Sequence, residues 1–201
     1  MNKKLKLSVL FSLMLLSSCA SYKANTLTHL SPQAAAYSDQ KEGVIIACRA
    51  FTKQDCKRYL DRDVIKKGFQ PIQITIKNDS NRFLIFSKNS IDLPLADAAS
   101  VADTVHTSTV GRATAYGVGA LFIWPLAIPA IVDGVKSSNA NEQLDRDFAA
   151  KVTNDQTIIP SGQLNGLIFV PTESYRESFT LTLVDKDTKE KITFTPNVVR
   201  N

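Results

Sequence analysis

Imidazoles, thiols and carboxylates are the side chains that would do chemistry here, and the chain holds two histidines and three cysteines among 201 residues. Nucleophilic catalysis needs a nucleophile beside a positioned base. His29 falls in a polar stretch without apolar periodicity, and His106 ends a weakly helical segment beside Thr104, Thr107 and Ser108. No His-x-x-x-His, Cys-x-x-Cys or calcium-loop pattern supplies a set of metal ligands. Asp55, Asp61 and Asp63 lie close in sequence, but Lys53, Lys57, Arg58, Arg62, Lys66 and Lys67 are interleaved with them. Ion pairing on a solvated helix face explains that run better than two carboxylates set across a cleft. Gly117-Val118-Gly119 has neither the full Gly-x-Gly-x-x-Gly spacing nor a following Lys-Ser/Thr, so helix packing accounts for it and a phosphate loop does not. No catalytic residue, metal, cofactor or small-molecule substrate is expected.

The first residues belong to an address. Lys3, Lys4 and Lys6 precede an apolar run from Leu7 to Leu16 that is too short to span a bilayer and ends in Leu16-Ser17-Ser18-Cys19. That ending resembles the lipobox of bacterial lipoprotein precursors, in which a large apolar residue and two small ones precede an obligatory cysteine. The resemblance implies that Cys19 receives a diacylglyceryl group, that cleavage occurs before it, and that the bilayer is a partner through acyl chains. Two or three chains hold stably because each buried methylene contributes about 0.8 kcal/mol. Ala20 rather than aspartate after the cysteine resembles the outer-membrane sorting pattern of didermal bacteria.

Removal of residues 1–18, with three lysines and no acid, takes the formal charge from +5 to +2. No dense basic stripe with interleaved aromatics remains, and an exported location makes nucleic acid an implausible partner. Lipidation of Cys19 also leaves Cys48 and Cys56 as an even pair in an oxidising compartment. A disulfide tying a strand to the following helix is expected, with two buried free thiols as the alternative.

The elements around these residues fall into two β-rich halves separated by a charge-free run from Ala113 to Val132. Its length would cross a bilayer as a helix, but Pro125 and Pro129 each remove a backbone donor and obstruct the preceding turn. The pattern predicts a helical hairpin with arms at roughly 108–123 and 126–150, bent near Trp124-Pro125. Gly111, Ala115 and Gly119 form a small-residue face for close packing. Phe122, Ile123 and Trp124 would lie near the tip as apolar contacts, or be buried against the β domain.

Residues 19–42 read as a lipidated flexible tether. Strands are expected over 43–51, over Pro71–Lys77 with Ile72, Ile74 and Ile76 on one face, and over 82–87, with a short third at 91–95. A further set follows at 157–159, 164–170, 179–184 and 191–195. Thr52 and Asp55 suggest a helix start and Gly68 a stop. The sequences PIQITIKNDSNRFLIF, IIPSGQLNGLIFVP and FTLTLVD resemble strand signatures of immunoglobulin-like domains in exported bacterial lipoproteins, where an Asn-x-Ser turn closes an early hairpin. Several short antiparallel strands with polar turns indicate a mainly β sandwich, and the resemblance implies that it is immunoglobulin-like: one antiparallel β-sandwich over 43–201, interrupted, unlike that family, by the helical hairpin at about 96–151.

The functional expectation is a non-catalytic, membrane-anchored envelope lipoprotein that binds or scaffolds another envelope component. The alternative is an accessory protein whose apolar hairpin, 113–132, contacts the membrane in assembly, transport or a host-surface process.

Overall fold

The structure is a computed structural model that describes residues 21–107 and 127–200, with residues 127–137 as helix backbone only. Strands β1 (Tyr37–Lys41), β2 (Val44–Ala50), β3 (Phe69–Asn78) and β4 (Leu84–Phe86) come first, with helix α1 (Lys53–Leu60) between β2 and β3. Helices α2 (Ala98–Thr104) and α3 (Ala127–Lys151) follow. Strands β5 (Gln156–Ile158), β6 (Gln163–Pro171), β7 (Leu181–Asp185) and β8 (Lys191–Phe194) complete the chain.

Among the described residues the strands form two antiparallel four-stranded sheets, ordered β1-β2-β3-β6 and β5-β4-β7-β8. Period-2 alternation turns Val44, Ile46 and Cys48 of β2, and Ile72, Ile74 and Ile76 of β3, into one buried cluster. Leu84, Phe86, Leu181, Leu183, Ile192 and Phe194 join it from the other sheet. The protein is thus mainly β, in an arrangement compatible with a β-sandwich.

The described residues within 23–105 and 145–200 make one compact unit, which contains every described strand. The described residues from His106 to Leu144 belong to a second. Within that second unit the Asn141 amide holds Thr107, accepting from its backbone N–H at 2.9 Å.

Four expectations change. Residues 19–42 are not a tether throughout, because Tyr37–Lys41 pairs with β2 as an edge strand. Its sequence, YSDQK, has almost no apolar signal. The hairpin is closed by Glu42 and Gly43, both at positive φ (51° and 79°), the backbone that two-residue hairpin turns require. Second, Asn78-Asp79-Ser80-Asn81 does not close a hairpin: β3 and β4 lie in different sheets, so this turn carries the chain from one sheet to the other. Third, the short strand at 91–95 shrinks to a single bridge between Ile91 and Leu181, after a 3-10 turn over Lys88–Ser90. Fourth, β3 is buried on both faces, Gln73 and Thr75 included, where the alternation predicted one solvated face.

The helix signals are met. Thr52 and Asp55 form a reciprocal capping box, and Gly68 stands at φ 91° after the 3-10 turn Ile65–Lys67. Helix α3 occupies the place of the second hairpin arm. The first arm, with Gly111, Ala115 and Gly119, and the tip residues Phe122, Ile123 and Trp124, lie outside the described residues, as does Cys19.

Candidate functional site

The helical insertion leaves the β unit after β4 and returns before β5, and both passages are fastened to β6. The Ala96 amide donates to the Phe169 carbonyl at 2.8 Å, and the Thr153 amide donates to the Leu167 carbonyl at 2.9 Å. Two stems separated by more than fifty residues in sequence therefore sit on positions two apart in one strand. β6 is an outermost strand of its sheet, and these bonds cover backbone groups that an open edge would offer to another chain.

Side chains stiffen the root. Phe148 of α3 stacks on Phe169, with centroids 5.6 Å apart and planes 10° from parallel. Lys151 is buried, and its ammonium donates to the Tyr59 carbonyl at 2.6 Å and to Asp147 at 2.5 Å. Such a charge is tolerated inside because it is paired with a carboxylate and hydrogen-bonded to a carbonyl. On the outgoing stem, Asp97 caps α2 by accepting from the Ser100 amide at 3.0 Å. That bond holds its carboxyl below the ordinary range. Asp155, on the returning side, is lowered likewise by the Lys88 amide and the Ser87 hydroxyl.

Between the stems lies a cleft of about 270 Å³ lined chiefly by Leu95, Ala98, Ala149, Val152, Ile168 and Phe169. A second, of about 430 Å³, adjoins it through Lys88, Leu95 and Asp97. The one carboxylate in their walls, Asp97, is committed to capping α2. Among the described residues no group of three or more His, Cys, Asp or Glu side chains could hold a metal ion. His29 is exposed beside a smaller cleft of about 170 Å³, with Leu30, Thr75 and Lys77. The arrangement is suited to mounting the insertion.

A second arrangement concerns the N-terminal segment, which is laid along the outer face of the β1-β2-β3-β6 sheet. Gln73 donates to the Thr28 carbonyl at 2.7 Å and to Asn165 Oδ1 at 2.9 Å. Thr75 also donates to Asn165 Oδ1, at 2.7 Å, while accepting from the Leu30 amide at 3.1 Å. Asn165 in turn donates to the Leu27 carbonyl at 3.2 Å. Each polar group of this belt has a partner, the condition under which buried polar networks rigidify a fold. Further back, the Asn25 amide bonds to the Arg58 carbonyl at 2.9 Å and the Lys23 amide to Asp61 at 3.1 Å. The belt sits on the polar positions of β3's alternation. That pattern alone cannot separate water from another chain segment as the cover.

Cys48 and Cys56 are free and buried. The structure holds separate thiols in place of the expected disulfide: Cys48 sits in the core cluster between the sheets, while Cys56 is on the inward face of α1. Burial pushes the Cys56 thiol up to about 12, with Asp63 and Asp55 adding to it, and raises Cys48 further.

Comparison with protein-family models, with curated proteins and with solved structures gives no match for this chain. Among the described residues no helix is long and apolar enough to cross a membrane.

Proposed function

We propose that the chain is the precursor of an outer-membrane lipoprotein, held by acyl chains on Cys19, whose immunoglobulin-like domain is a non-catalytic mount that carries a helical hairpin toward another envelope component. The observation that carries the anchoring is the order basic end, apolar run, small residues, cysteine within residues 1–19. The mount is supported by the two stems fixed to adjacent stretches of β6, since a domain that orders both ends of an insertion fixes where the insertion starts.

The immunoglobulin-like assignment draws on strand order. With β2 to β8 taken as strands A to G, A-B-E lie in one sheet and D-C-F-G in the other, with the fourth strand moved beside C as C′ is in variable domains. Tyr175, in the corner between β6 and β7, is buried with its hydroxyl donating to the Val198 carbonyl, which ties that corner to the segment after β8.

Radiolabelled palmitate entering the protein in a bacterial host, and lost in Cys19→Ala together with the membrane fraction, is the expected result. Label retained by that variant rejects the anchor. A photo-reactive residue replacing Phe122 or Trp124 should cross-link to an envelope protein in intact cells. Adducts with lipid alone would instead favour the hairpin as a membrane-contacting device.

A further inference from the structure

We propose that the face formed by Lys23, the outer side of α1 and the turn at Lys66-Lys67 rests on anionic lipid headgroups. The inference builds on the anchoring of Cys19 proposed above. It starts from two bonds near Cys19 in the sequence: Lys23 is bonded through its amide to Asp61, and Asn25 to the Arg58 carbonyl. Only four residue steps separate Lys23 from Cys19, and a fully extended chain covers at most about 3.5 Å per step, or about 14 Å. A lipid on Cys19 therefore holds the Asp61 end of α1 close to the bilayer surface, with no long linker to let the domain turn away.

The charge on that face fits the surface it would meet. Six bases and three acids lie between Lys53 and Lys67, and Lys23 adds a seventh base. The acids are occupied. Asp55 accepts from the Thr52 amide in the capping box, and Asp63 accepts from the Lys66 amide at 3.0 Å. Asp61 takes the Lys57 ammonium at 2.9 Å, the Arg62 guanidinium at 2.9 Å and the Lys23 amide. Lys53, Lys66 and Lys67 are exposed and outside these ion pairs. Inward, α1 is fixed by buried Cys56, Tyr59 and Leu60, so its bases cannot rotate to the other side. Basic side chains near an anionic surface are drawn to it over roughly a Debye length, about 8 Å at physiological ionic strength, which is within the reach of the short leash.

The test uses the full lipidated chain in nanodiscs of phosphatidylcholine alone, or with phosphatidylglycerol added, and follows amide hydrogen exchange. Exchange over residues 53–67 should slow on the anionic discs and recover in high salt. Lys53→Gln, Lys66→Gln and Lys67→Gln together should abolish the protection, each lysine changing the face's affinity by about fivefold. A control with the same charge loss in the β7–β8 region, Lys186→Gln, Lys189→Gln and Lys191→Gln, should keep it. Equal exchange on the two lipids, or equal loss in both triple variants, overturns the proposal. The mass of the purified chain separates the two readings: a chain without acyl groups rejects the anchor and this orientation together, whereas an acylated chain with equal exchange rejects the orientation alone.

Discussion

A Cβ added to Gly166 would stand 2.8 Å from Thr153 Cγ2, and 3.0 Å from both the Lys151 carbonyl oxygen and the Thr153 amide nitrogen. Gly166 is a central residue of β6, paired with Ile74, so glycine is there for the close approach of the chain returning from α3. Gly166→Ala should push the returning stem off the strand and destabilise the β unit by about 1 to 3 kcal/mol, the usual range for overpacking. Thr153→Ser, which removes Cγ2, should recover only part of the loss because two of the three contacts are backbone. Urea denaturation of the single and double variants checks this; an unchanged midpoint in Gly166→Ala would show that the root is loose.

The strands that build the core were readable because each carries a period-2 apolar face: Ile72, Ile74 and Ile76, or Leu181 and Leu183. The capping box at Thr52 was readable from chemistry at fixed spacing. β1 was not, since an edge strand that buries little needs few apolar residues, and its pairing is specified by the backbone of Glu42 and Gly43. The root of the insertion was also hidden. Ala96, Thr153 and Gly166 act through backbone atoms and through the absence of a side chain, and none of them has a local signature. The polar belt of Gln73, Thr75 and Asn165 is hidden for a different reason, because side chains that bind a neighbouring segment look the same in sequence as side chains that bind water.

The turn after β7 gives a pH prediction. Amides of Thr188 and Asp187 donate to the buried Asp185 carboxylate, at 3.1 Å and 2.8 Å, and hold its carboxyl below the ordinary range, with Arg82 adding to the effect. A carboxyl whose folded value is lowered contributes stability above its unfolded value of about 4, and loses it as pH falls through the folded value. Asp185→Asn should therefore be less stable than the parent at pH 7, with the two converging as the pH falls through the lowered folded value. Parallel thermal melts across that range check it, and a constant gap would assign the loss to packing alone.

Two separate buried thiols predict a specific labelling pattern. The thiolate is the reactive species, and burial raises both groups far above the working pH, so neither Cys48 nor Cys56 should react with an alkylating agent in the folded protein at pH 8. Unfolding without any reductant should expose both to full labelling. If only prior reduction permits labelling, the pair is bridged in the exported protein and α1 must shift to meet β2.

Asn78 is the residue on which the passage between the sheets depends. It is fully buried, and its amide nitrogen donates to the carbonyls of Arg82 (2.7 Å), Ile159 (3.1 Å) and Ile158 (3.2 Å), tying β3 to the start of β4 and to β5. Its oxygen accepts from the Ser80 amide and hydroxyl, at 3.1 Å and 2.5 Å, which sets the turn. Asn78→Ala removes the side-chain donor to these carbonyls and the acceptor that sets the turn, and should cost about 2 kcal/mol, with no added pH dependence. Asn78→Asp keeps the shape but turns an oxygen toward three carbonyl oxygens, so the new carboxyl would have its folded pKa raised. The sign is then opposite to that of Asp185: the penalty is small below about pH 4, where the group stays protonated and still donates, and grows as pH rises past that value. Urea titrations at pH 4 and pH 7 should find Asn78→Asp milder than Asn78→Ala at the lower pH and worse at the higher. The same order at both would mean that the Asn78 donors do not set the cost.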